Sequence, residues 1–107
     1  MFELRAGEPT VIRVFDIFNG MIADWREAGI EPECTALWES ESEALSEAAD
    51  DYGVTVASFY DEFNGPGHDE DPREKGYITV DGKHASPEGT YFQVDILHEL
   101  GYDAIVP

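Results

Sequence analysis

Residues 33–59 read ECTALWESESEALSEAADDYGVTVASF, and the organisation of the chain turns on how this stretch is parsed. Leu37, Trp38, Leu45, Ala48, Ala49 and Tyr52 recur at spacings of three, four and seven. Between them stand Glu39, Glu41, Glu43, Glu47, Asp50 and Asp51. That pattern predicts an amphipathic helix from Glu33 to Tyr52, with an apolar stripe turned inward and an acidic face turned to solvent. Gly53 suits the C′ position that ends such a helix. VTVASF, residues 54–59, is rich in β-branched residues and reads as a strand.

Upstream, TVIRVFDIF at residues 10–18 reads as another strand, buried on both faces for much of its length and interrupted by Arg13 and Asp16. Asn19-Gly20 stops it. MIADWREAG follows as a short helix or irregular turn ending at Gly29. The order strand, helix, Gly loop, strand is the pattern of a parallel βαβ unit.

Tyr60–Tyr77 is polar and contains Gly65, Pro66, Gly67, Pro72 and Gly76. It reads as a long loop, and loops of that length in a small domain usually carry function or act as lids. Residues 78–80 (ITV) read as a brief extended piece. Ser86 has the features of an N-cap, with Pro87 at the first helical position and Glu88 in the first turn. The helix it starts runs through Phe92, Val94, Ile96, Leu97 and Leu100 and closes at Gly101. YDAIVP forms a tail that packs back on the core.

The chain has 107 residues, enough for one domain, residues 1–107, and 42% of them are hydrophobic. Its charge is lopsided: Lys plus Arg total 6, Asp plus Glu total 24, for a net charge of −18. Such a surface repels phosphate backbones and anionic lipid, which disfavours nucleic acid and membrane surfaces as partners. Self-repulsion of this size is relieved by salt. The composition fits a salt-adapted source and equally an ordinary acidic surface. Cys34 is the single cysteine, so an internal disulfide is excluded, and it reads as a small buried apolar side chain. No apolar run approaches the ~18 residues of a membrane span, and the opening residues lack the pattern of a signal peptide.

The chemistry-bearing candidate is Asp81-Gly82-Lys83-His84. A general-base histidine needs its imidazole held in one tautomer, and a carboxylate on one ring nitrogen does that. On a tight turn with a Gly beside the acid, residues i and i+3 can face each other. The same spacing also fits a turn cap beside a surface histidine. Other groups are weaker. His68-Asp69-Glu70-Asp71 offers oxygen donors for a hard cation, or simply solvated loop charge. His98 reads as a helix-surface histidine, and Trp25 and Trp38 as core or interface anchors. No Gly-rich phosphate loop is present.

In its longer context, FNGPGHDEDPREKGYITVDGKHASPEGTYFQVDILHELGY resembles the C-terminal end of an SGNH (GDSL-type) esterase/lipase. The likeness lies in the FNGP loop, the polar loop ending in KGY, Asp-x-x-His, a Ser/Thr-x-x-Gly start, and a final helix ending in Leu-Gly-Tyr. VIRVFDIFNG is similar to that family's fourth sheet strand, and the Glu33–Tyr52 helix with VTVASF is similar to its last crossover and strand. The resemblance implies an α/β, partial flavodoxin-like three-layer fold, with a small parallel sheet of about two long strands flanked by helices and completed by association. It implies that Asp81 and His84 are the acid and base of a Ser-His-Asp triad for ester hydrolysis, acting without a cofactor or metal. The family's Pro or Thr after the His is Ala85 here.

The family's Gly-Asp-Ser nucleophile block and its Gly-x-Asn oxyanion block have no counterpart in this sequence. Ser40, Ser42 and Ser46 fall on the acidic helix, Ser58 inside a strand, and Ser86 at a cap. An active site would need a serine from another chain. Two exposed sheet edges imply a partner, either further copies of this chain in a homo-oligomer or a complementary N-terminal hydrolase fragment. The substrate would be a small acyl ester. The rival expectation is a catalytically inactive assembly or binding module built from the same half-fold. A third, weaker expectation is an isolated two-strand α/β domain with a cation site in the 60–77 loop.

Overall fold

The structure is a computed structural model, which describes residues 3–107. A 3-10 turn at Glu3–Arg5 leads to strand β1 (Arg13–Phe15). Helices α1 (Ile22–Ala28) and α2 (Glu31–Asp51) follow, then strand β2 (Thr55–Ala57), α3 (Phe59–Asn64) and α4 (Pro87–Glu99). The chain is an α/β protein with a two-stranded parallel sheet, β1 against β2, flanked by helices.

The register explains the layering. Val14 pairs with Val56 and Phe15 with Ala57, so neighbouring pairs face opposite sides. Val14 and Val56 pack with Ile12, Ala49 and Val54 against α2. Ala57 belongs to a larger core on the other side, with Phe18, Phe59, Phe63, Ile78 and Ile96, backed by Phe92 and Leu97 of α4. Aromatic stacking organises this second core: Phe63 lies 4.7 Å from Phe18, 5.2 Å from Tyr77 and 5.6 Å from Phe92, centroid to centroid. The tail returns as expected, with Ile105 bridging Thr10. Arg13 Nη2 donates to Gly101 O at 2.8 Å, fixing the end of α4 beside β1.

Several expectations change in detail. The 10–18 run is regular strand only over 13–15, and it is not buried on both faces. Phe15 and Ile17 are each 55% exposed. The reason is an open edge. Asp16 N donates to Ala57 O, so alternate residues turn their backbone groups toward β2. Phe15 and Arg13 turn theirs the other way, where no strand lies among the described residues.

On α2, Leu37 is 72% exposed, Ala48 is exposed, and Tyr52 is exposed as the C-cap, so all three leave the predicted inward stripe. Cys34 is half-buried rather than buried. Trp25 and Trp38 are anchors as read, meeting edge to face at 5.8 Å to join α1 to α2. The 60–77 loop loses its start to α3, which Ser58 caps by accepting from Asp61 N.

The radius of gyration is 15.6 Å, against about 13 Å for a compact chain of this length. Among the described residues the sheet has two strands only, so both of its outer edges lack a strand partner.

Phe63 is fully buried and central to the aromatic core. Phe63→Ala is therefore expected to cost about 3–5 kcal/mol in urea unfolding. Leu37→Ala is expected to change stability by less than about 0.5 kcal/mol, because Leu37 contributes little burial.

Candidate functional site

Asp81 and His84 sit at the tip of a short antiparallel hairpin. Ile78 bridges Ala85, Thr79 N donates to His84 O at 2.8 Å, and Gly82 N donates to Thr79 O at 3.1 Å. Gly82 takes the left-handed conformation (φ 73°) that this turn requires. It is also pressed against the loop that follows β1. A Cβ on Gly82 would meet Arg73 Nη2 at 2.3 Å, and a Cβ on Gly20 would meet Gly82 O at 2.0 Å. The hairpin is thus seated at the carboxyl end of the sheet, where ligand sites of open α/β folds are built. On its far side Ser86 caps α4, accepting from Gly89 N at 3.0 Å and donating to Gly76 O at 2.5 Å.

Asp81 uses both carboxylate oxygens. Oδ1 accepts from Thr79 Oγ1 at 2.5 Å, Lys83 N at 2.8 Å and His84 N at 3.1 Å. Oδ2 contacts His84 Nδ1 at 2.5 Å. The Thr79 hydroxyl first, then the Lys83 amide and the ring and amide of His84, hold the Asp81 carboxyl well below the usual carboxylate range. An ionised Asp81 fixes the proton of a neutral His84 on Nδ1 and leaves the Nε2 lone pair free. The His84 side chain is 76% exposed, so Nε2 faces open solvent. The arrangement is an oriented base without a substrate proton beside it.

No serine side chain bonds to His84 among the described residues. Ser42 and Ser58 both donate to Asp16 Oδ2, at 3.2 and 2.9 Å. Ser40 donates to Ala36 O on its own helix. Ser58 is a helix cap and not a strand residue, and Ser86 is the cap it was read to be.

Two buried polar nodes behind the site were not singled out from sequence. Asp16, 3% exposed, accepts from Tyr60 N through Oδ1 at 2.9 Å in addition to the two serines. Asn19 N donates to Asn64 Oδ1 at 2.8 Å, and Asn64 Nδ2 returns a bond of 2.8 Å to Asn19 O. The available signal was polar residues following a strand directly, where they can satisfy backbone groups that the sheet no longer pairs.

The His68-Asp69-Glu70-Asp71 run does not converge on one point. His68 lies between Glu39 and Asp61, Glu70 pairs with Lys75 at 2.8 Å, and Asp71 accepts from Arg73 N. No group of three or more His, Cys, Asp or Glu residues is arranged to hold a metal among the described residues. His98 Nδ1 meets Tyr102 Oη at 2.7 Å at the end of α4. No described helix is long and apolar enough to cross a membrane.

Comparisons with protein-family models, with curated proteins and with solved structures return no match.

The ordering of donors on Asp81 predicts a selective effect. Thr79→Val is expected to move the Asp81 titration upward, because the largest stabilising hydrogen bond is gone. Asp24, held low by Arg73 at 2.6 Å, should keep its own titration. Carboxyl ¹³C NMR between about pH 1.5 and 6 reads both. Because the folded value is depressed, the stability linked to Asp81 is present above its unfolded pKa and is lost as pH falls through the folded one.

Proposed function

We propose that this chain is the back half of an SGNH-type ester hydrolase, with Asp81 and His84 as the acid and base of a triad whose serine comes from a complementary N-terminal hydrolase segment. The observation that carries this reading is the Asp81–His84 contact, with one ring nitrogen held and the other open. The open edge of β1 supports it as well. Phe15, Ile17, Trp38 and Leu45 line an apolar groove between that edge and α2. Val11, Val94, Leu97 and Tyr102 line another between β1 and α4. A strand added to the edge would be covered on both faces, as a central strand of a three-layer fold requires.

In this reading His84 Nε2 takes the proton of the supplied serine as its Oγ attacks the carbonyl of a small acyl ester. Asp81 stabilises the imidazolium that results. The same proton then passes to the departing alkoxide as the ester C–O bond breaks. A water activated by His84 attacks the acyl-serine and releases the acid. Oxyanion donors would come with the serine segment, and such donors are typically worth about 10²–10³ in rate.

A second reading, a catalytically inactive assembly or binding module, is favoured by one observation. No serine reaches His84 among the described residues. Under that reading the open edge pairs further copies of this chain.

Turnover of p-nitrophenyl acetate and labelling by a serine-directed phosphonate separate the two. The chain alone is expected to take up no phosphonate and to give only background turnover. Mixed with an N-terminal SGNH fragment carrying Gly-Asp-Ser, it is expected to gain turnover that His84→Ala lowers by at least about 10³-fold. A mixture whose turnover survives His84→Ala removes His84 from the mechanism. Sedimentation reads the second case: self-association is expected to strengthen with added salt, since each copy carries a net charge of −18. A monomer at all concentrations and salt levels counts against copies covering the edge.

A further inference from the structure

His68 is the one described non-glycine residue with positive φ (56°). It follows Gly65-Pro66-Gly67, and its ring is held on three sides. Nδ1 contacts Glu39 Oε1 of α2 at 2.6 Å. Nε2 contacts Asp61 Oδ1 of α3. The ring plane stacks on Tyr60 of α3 with centroids 3.8 Å apart and 14° between planes. Tyr60 Oη donates to the same Glu39 oxygen at 2.9 Å.

A neutral imidazole has one N–H and one lone pair. It can donate to one of these carboxylates, and it would then turn its lone pair on the other. Only the imidazolium donates to both. The stack on Tyr60 favours the cation too. We propose that protonated His68 is a proton-dependent clasp, tying the 65–71 loop to α2 and α3 and letting it go when the ring loses its proton.

The surroundings agree in sign. From α2, Glu39, Glu43, Glu47 and Asp50 border the depression that holds the ring. From α3 come Asp61 and the Tyr60 hydroxyl, whose own titration is pushed up by burial and by Glu39. On the loop itself Asp69 follows, with its carbonyl held by Arg26 of α1 at 2.6 Å. Partial burial would lower the His68 pKa. The hydrogen bonds to Asp61 and Glu39 override it and hold the ring above its ordinary value of 6.5. A pKa raised on folding gives stability that is complete below the unfolded value and is lost as pH rises through the folded one. The clasp is therefore closed in mild acid and opens on the alkaline side. It stands independently of the hydrolase reading.

The test uses the full chain. Ring ¹⁵N NMR from about pH 5.5 to 8.5 is expected to place the His68 midpoint above that of a histidine in an unstructured peptide. Hydrogen-exchange protection over residues 65–71 is expected to fall across that midpoint, by up to about tenfold for each unit of elevation. His68→Gln should abolish this pH dependence and leave the protection of α4 unchanged. Asp61→Asn, at an exposed position, should lower the midpoint while keeping the ring, and it carries the test if the glutamine variant does not fold. A midpoint at or below the peptide value overturns the proposal. So does a 65–71 profile that is the same in the wild type and in the variant that folds.

Discussion

Asp16 is the constraint from which the rest of the molecule is positioned. A carboxylate this deeply buried must have its oxygens occupied by donors, because transfer from water is otherwise prohibitive. Its three donors come from two directions: Ser42 on α2, and Ser58 with the Tyr60 amide at the start of α3. The residue just after β1 thereby fixes where α2 crosses the strand and where the chain turns after β2. Three residues later, Asn19 and Asn64 repeat the device between the β1 loop and the end of α3. Gly20 then provides the flat seat on which Gly82 rests. The Asp81–His84 pair is exposed, yet its backbone is referenced to the sheet through this chain of polar contacts.

That arrangement explains what could be read from residue order. The βαβ unit was legible because its signal is periodic and long: 21 residues of α2 between two β-branched runs. Ser86-Pro87 and Asp81-x-x-His84 were legible because each is a local device whose geometry four residues largely determine. Burial was not legible in the same way. Phe15 and Ile17 look like core residues by periodicity, and they are exposed at an edge where no strand lies among the described residues. Leu37 fits the apolar stripe, but α2 is far longer than the three-residue strands, and no described residue buries Leu37. Helix α3 was hidden because six residues between a strand and a Gly-Pro-Gly turn carry too little pattern. Phe59, Tyr60 and Phe63 were its apolar trace. The roles of Asp16 and Asn64 depend on partners as far as 26 to 45 residues away, which spacing cannot supply.

The two histidine–carboxylate contacts show how similar local chemistry leads to different ends. His84 has one carboxylate partner and one open nitrogen, and its acid is held by a hydroxyl and two backbone amides that do not titrate near neutrality. The pair can exchange a proton at Nε2 without disturbing the turn. His68 has both nitrogens engaged by carboxylates from two different helices, so the same proton loss breaks a contact between elements. One arrangement leaves a ring nitrogen open to solvent, and the other engages both nitrogens in contacts between elements.

The acidity of the chain bears on both. With 24 carboxylates against 6 Lys and Arg, cations are scarce and are placed where they tie segments together. Arg13 holds the end of α4, Arg73 reaches Asp24 of α1, and Lys75 bonds both Glu70 and the Phe63 carbonyl. A protonated His68 is a further cation in a depression bordered by Glu39, Glu43, Glu47 and Asp50, where an added positive charge relieves repulsion. Salt screens that repulsion but also the attraction between His68 and its two carboxylates, and it cannot supply the second N–H that the clasp needs. The open edge of β1 is different: its grooves are predominantly apolar, and screening matters there only by lowering the cost of bringing a second acidic chain close. The physical demand at that edge is for backbone partners and apolar cover, and charge decides only who can approach.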